Sequence, residues 1–175
     1  DCWSNTATLT GQFTLPDAAE LGDILINEIL FDPLTGGSDW IELYNTSSKV
    51  INLKNWQFAN YDDDTISNHK TIADNLFLFP NDYVVIGKDS AFVKQNYPFA
   101  VAGNFAYAEL PSYNNDSSTV YLINNSQVMD KVSYTEDWHF KLLDVTDGVS
   151  LERIDFARPS NDINNWHSAA ESVSW

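Results

Sequence analysis

Asp23-Ile24-Leu25-Ile26-Asn27-Glu28-Ile29-Leu30, Trp40-Ile41-Glu42-Leu43-Tyr44-Asn45 and Val50-Ile51-Asn52-Leu53-Lys54-Asn55-Trp56 are three short apolar runs, and their reading decides the fold. The first two are separated by Asp32-Pro33-Leu34-Thr35-Gly36-Gly37-Ser38-Asp39. Runs of Ile, Leu and aromatics punctuated by Gly, Pro, Asp, Asn and Ser are the pattern of antiparallel strands joined by turns, so residues 23–56 predict a β-meander. Period two from Ile41 onward turns Ile41 and Leu43 toward a core and Glu42 the other way. In the first run, strict alternation groups Ile24, Ile26 and Glu28 on one face and Leu25, Asn27 and Ile29 on the other. Both faces are partly apolar, which predicts a central strand covered on both sides.

Working outward, the chain has 175 residues, the size of one large β domain, with ten Phe, eight Tyr and six Trp against seven Gly. Wide flat side chains fill the space between two packed sheets, so the composition predicts an all-β sandwich of antiparallel strands. Residues 1–21 read as a leader strand (Thr6 to Leu15) and linker, the tail of a preceding module in one reading, and 22–175 as the sandwich domain. The formal charge of −16, with nine basic residues that are never adjacent, repels nucleic acid and anionic membrane surfaces alike. No apolar run reaches the ~18–20 residues of a membrane span. The lone Cys2 cannot form an intrachain disulfide.

Further along, Pro80-Asn81-Asp82 is a turn before the β-branched strand Tyr83 to Gly87. Asp89 or Ser90 can cap one short helix, Ala91 to Tyr97, expected to dock across one end of the sandwich through Phe92 and Tyr97. Thr119 to Ile123 and Gln127 to Tyr134 flank Asn124-Asn125-Ser126, the clearest hairpin in the chain. On its second strand Asp130 leans inward and needs backbone partners for its carboxylate. Val149 to Ile154 reads as a last strand, from which Arg153 can reach Glu28 or Glu42.

The search for chemistry leaves few candidates. Asp62, Asp63 and Asp64 could gather Ca²⁺ together with Asp32 and Asp39 if their loops meet at one end of the sandwich, since hard cations take several oxygen ligands. The bland alternative is a solvated acidic loop between Tyr61 and Asn68. Tyr61, Tyr113 and Trp138 could present a sugar-binding platform, although most aromatics of a sandwich belong to its core. His69, His139 and His167 lie in separate segments without zinc spacing. Nucleophile and phosphate-loop motifs are absent. Glu28 near Glu42, or Glu136-Asp137, could imitate a glycosidase pair, but a sandwich offers no obvious cleft for one.

Ile-Asn-Glu-Ile at 26–29, Asp-Trp-Ile-Glu-Leu-Tyr-Asn at 39–45, Ile-Asn-Leu at 51–53 with Trp56, Pro-Asn-Asp-Tyr-Val-Val-Ile at 80–86 and Gly-Val-Ser-Leu-Glu-Arg-Ile at 148–154 before Asn-Trp at 165–166 occur in that order. Together, from about Gly22 to Ser168, they resemble the lamin tail domain family, specifically its bacterial branch. The resemblance implies an immunoglobulin-like β-sandwich that serves as a non-catalytic accessory module in secreted or surface-attached proteins, without cofactors. Its expected partners are other domains of the same polypeptide or surface proteins, with glycans as the alternative. It also implies that Glu28 and Glu42 are structural rather than catalytic positions.

Overall fold

Residue-by-residue alternation along the first strand, β1 (Ile24–Leu30), breaks at Asn27, and that break sets the layout of the molecule. In the computed structural model, which describes residues 15–97 and 103–169, all seven β1 residues are buried. β1 pairs antiparallel with β2 (Trp40–Asn45), but the register shifts between Ile26 and Glu28, so Asn27 is the extra residue of a β-bulge. Ile24, Ile26 and Ile29 therefore face the core, while Asn27 and Glu28 both turn outward. This corrects the strict alternation, in which Glu28 shared a face with Ile26. Ile41 and Leu43 are fully buried in the core as expected.

The third apolar run does not join the meander. Ile51–Asn52 (β3) pairs instead with Phe77–Leu78 (β6), and β2 takes β7 (Tyr83–Gly87) as its other neighbour. Asn45 holds the departure: its Nδ2 donates to the carbonyls of Lys49 (2.8 Å) and Leu78 (3.0 Å). The chain then crosses the core at Leu53 and Trp56 into β4 (Gln57–Asp62) of the opposite sheet.

Two sheets result. One has six strands in the order β12-β11-β1-β2-β7-β8, where β8 is Phe105–Tyr107, β11 is Leu151–Arg153 and β12 is Trp166–Ser168. The other has the order β10-β9-β4-β5, where β5 is Thr65–Thr71, β9 is Ser117–Asn124 and β10 is Gln127–Thr135. Among the described strand pairs only β7 and β8 run parallel. Ile24, Ile26, Ile41, Leu43, Val84, Ile86 and Leu151 meet Phe58, Val120, Leu122, Met129, Val132 and Tyr134 in one core, an immunoglobulin-like β-sandwich.

The predicted β9–β10 hairpin is present, with Asn125 and Ser126 both at positive φ, as a tight two-residue turn requires. The acidic stretch is also a hairpin rather than a loop. Asp63 and Asp64 (φ 48° and 59°) form its turn, and β5 begins at Thr65. Leu151–Arg153 is followed by one more strand, β12, with Trp166 packed into the core at the sheet edge. The predicted leader strand, Thr6 to Leu15, lies outside the described residues except for Leu15, which is in no strand.

A second bulge lies on β10, between Val128 and Asp130, and brings both Met129 and Asp130 inward. There Asp130 Oδ2 accepts from Ile26 N (2.9 Å), and Arg153 Nε donates to Ile26 O (2.7 Å). Arg153 Nη2 also reaches Asp130 Oδ2 at 3.0 Å. The β1 bulge frees the peptide groups of Ile26 from the ladder, and this ion pair binds them instead. Arg153 thus meets Asp130, not Glu28 or Glu42, because Glu28 and Glu42 stand on the other face of the sheet.

Helix α1 (Ser90–Asn96) is capped as predicted: Asp89 Oδ1 accepts from Phe92 N at 2.9 Å. It does not lie across an end of the sandwich. Val93 packs against Leu30 and Trp40, with Val85, Tyr97 and Phe105 beside them, so α1 covers part of the outer face of the six-stranded sheet. That face is apolar at this end, and burying it drives the docking.

Candidate functional site

The outer face carries a row of polar side chains fixed by strand register. Glu28 stands opposite both Glu42 on β2 and Glu152 on β11, and Glu152 stands opposite His167 on β12. Directly opposed side chains in a sheet have Cβ atoms about 4.5–5.5 Å apart, and like charges there repel. Three glutamates in adjacent strands therefore need neutralisation, by protons or by a cation. His167 Nε2 lies 3.3 Å from Glu152 Oε2 and serves the outer member. Arg153, the nearest cation by sequence, points to the other face.

Two of the three are deeply buried. Glu28 is 1 % and Glu42 5 % exposed. Ser150 Oγ donates to Glu28 Oε1, and Asn27 Nδ2 donates to Glu42 Oε1 at 2.8 Å. The second donor is a product of the bulge, which swings Asn27 to the side of Glu42. Neither Oε2 receives a hydrogen bond from the described residues. Burial, followed by the Glu42 charge, pushes the Glu28 carboxyl well above the usual range. Burial likewise pushes Glu42 up to about 7, and it raises Glu152 too.

Glu28 and Glu42 form the floor of a pocket of about 60 Å³. Trp40 and Tyr97 meet nearly at right angles (87°, centroids 6.0 Å apart), and Phe105 and Val85 complete the apolar wall. Lys94 and Asn104 also line it. Tyr97 is held in place through its hydroxyl, which donates to Gly148 O at 3.0 Å. Gly148 lies at φ +78°, and a Cβ there would stand 2.6 Å from Leu34 Cγ, so no other residue fits this support without displacement. Trp40 Nε1 is a buried donor without an acceptor. The expectation of no cleft is corrected here: helix α1 and β8 build one over a sheet face.

The sequence-derived candidates lie elsewhere. Asp32 accepts from Asn115 Nδ2, and Asp39 accepts from Tyr113 N at 3.3 Å. Burial pushes Asp39 up to about 6. Asp62, Asp63 and Asp64 sit exposed at the β4–β5 turn. Among the described residues no three or more His, Cys, Asp or Glu side chains are arranged to hold a metal ion, so these five carboxylates do not converge on one. The sugar platform does not assemble either. Tyr61 is half exposed, but Tyr113 is 3 % exposed within the core, and Trp138 packs on Trp166 at 6.3 Å. His139 is buried with Nδ1 2.9 Å from Ser168 Oγ, and burial lowers its pKa. Sequence reasoning named Glu28 and Glu42 as a pair but missed their pocket, because its roof comes from Val93, Lys94, Tyr97, Asn104 and Phe105, far along the chain.

No curated protein matches this chain. The family model described as Lamin Tail Domain matches residues 17–136, more than half of the sequence, spanning β1 to β10; β11 and β12 lie beyond the match and complete the six-stranded sheet around β1. With that match and this sandwich, the chain belongs to the Lamin Tail Domain family, whose immunoglobulin-like fold serves as an interaction module and is generally non-catalytic.

Proposed function

We propose that this chain is a non-catalytic interaction module of a secreted or surface-attached bacterial protein, and that it positions a partner domain through the outer face of its six-stranded sheet. One observation carries the reading: a solvent-reaching pocket whose floor holds buried carboxylates with unused acceptor oxygens. Buried polar groups in a finished core are normally satisfied. Groups left open at the bottom of a pocket suit a partner that completes them. The partner is another domain of the same polypeptide or a protein on the same surface; the net charge of −16 disfavours nucleic acid. The reading calls for no cofactor.

Lysine-directed cross-linking and mass spectrometry on the native polypeptide and its surface neighbours test it. Cross-links from Lys94, at the pocket, and from Lys88, at the end of the same sheet, are the expected result. Links confined to Lys131 and Lys70 on the opposite sheet would overturn the choice of face. Recovery of the polypeptide only from the cytoplasmic fraction would overturn the location.

A further inference from the structure

Taking the outer face as the contact surface, we propose that its pocket receives the ammonium end of a lysine side chain presented by the partner protein. The floor supplies two acceptors from two different carboxylates, Glu28 Oε2 and Glu42 Oε2, on adjacent strands. An ammonium is a compact charge with three donors and can bridge them. The wall supplies what the methylene stem needs: Trp40, Tyr97, Phe105 and Val85 are apolar surface, and the aromatic faces attract a cation as well.

Size and chemistry exclude the other occupants. At ~10–15 Å³ for one water-sized group, a pocket of about 60 Å³ takes roughly four to six such groups. A lysine tip fits that space. A guanidinium binds best when it grips both oxygens of one carboxylate, and here it would have to share Oε1 of each glutamate with Ser150 or Asn27, whereas an ammonium bridging the two Oε2 atoms shares neither. A metal ion lacks a sufficient ligand group among the described residues. The chain's own Lys94 lines the pocket but forms no ion pair with either glutamate.

Binding exchanges a proton for the ammonium. Burial favours the protonated form of Glu28 and Glu42, an ammonium between their Oε2 atoms favours the ionised form, and a lysine ammonium stays charged to above pH 10. Raising the pH through about 7 ionises Glu42 and so strengthens binding. The other charged or ionisable groups on this face are Glu28 on β1, Tyr44 on β2, Glu152 on β11, His167 on β12, Tyr83 on β7, Lys94 on α1 and Tyr97 after it; burial raises the Tyr83 and Tyr97 hydroxyls above their usual range, away from pH 7.

The test is an NMR titration of this chain with n-butylammonium, using n-butanol as the neutral isostere and n-butylguanidinium as the arginine counterpart. Butylammonium is expected to shift the amides of Glu28 and Glu42 and the indole N–H of Trp40, with affinity about tenfold higher at pH 8 than at pH 6. Binding should fall at least tenfold in Glu42→Gln and in Val85→Phe, which fills the wall beside Glu42 and removes no carboxylate; retained spectral dispersion shows that each is folded. Equal affinity for butanol, tighter binding of butylguanidinium, no pH dependence, or unchanged binding in both variants would overturn the proposal. Lys94 cross-links to a partner without any butylammonium response would keep the contact face and remove the lysine.

Discussion

The two faces of the six-stranded sheet both bury side chains from water but are built for different ends. On the inner face Ile24, Ile26, Ile41, Leu43, Ile86 and Leu151 are each fully buried and apolar. On the outer face Glu28 and Glu42 are nearly as buried, yet they are ionisable and only half satisfied. Burial by itself therefore does not identify a core position. Apolar burial stabilises, whereas burial of a carboxyl costs stability unless it stays protonated or meets a cation. The comparison assigns stability to one face and recognition to the other, and substitutions can break that assignment.

The largest effect is expected where the faces are tied together. Arg153→Met leaves Asp130 buried without its cation and the Ile26 carbonyl without its donor, at a cost of about 3–5 kcal/mol by chemical denaturation. Arg153→Met with Asp130→Leu removes the uncompensated charge but leaves both Ile26 peptide groups unpaired, so it should recover only part of that loss. On the inner face Leu43→Ala opens a cavity in the core and should cost roughly 2–5 kcal/mol, with no influence of pH between 5 and 8.

The outer face should show the opposite sign. The unfolded chain releases the Glu42 proton near the ordinary value of 4.5, but the folded chain holds it to about 7. The stability linked to that proton is thus full below pH 4.5 and is lost as pH rises to about 7. Asp39 adds a similar loss through about pH 6. Melting at pH 8 should therefore be lower than at pH 5. Glu42→Gln, which keeps an acceptor for Asn27, should recover about 2–3 kcal/mol at pH 8 and almost nothing at pH 5. A variant equally destabilised at both pH values would mean that Glu42 supports the fold rather than a ligand.

The smallest effect concerns the pocket roof. Asp89→Ala removes the cap of a seven-residue helix and should cost about 0.5–2 kcal/mol. Hydrogen exchange should show the loss locally, at Phe92 and Val93, while the amides of β1 stay protected.

Much of the architecture is legible in local pattern. Ile41 and Leu43 alternate with Glu42, the Asn125-Ser126 turn closes its hairpin, and Asp89 caps its helix, because each of these depends on residues a few positions apart. β5 escaped notice because its residues, Thr65 to Thr71, are almost all partly or fully exposed and carry no apolar period. The site escaped for a different reason. Two bulges, at Asn27 and Met129, each reverse the inside–outside parity of a strand, and nothing in either run marks them.

The sequence by itself determined that this chain is an aromatic-rich β-sandwich with an acidic exterior, since turn chemistry, strand period and net charge act over short range or by simple sum. The tertiary structure alone decided which way Glu28 faces. Its bulge is held by Asp130 and Arg153, which bind Ile26 from 104 and 127 residues away. Peptide groups freed from a ladder need partners wherever the fold can bring them, and only the closed sandwich brings those two together.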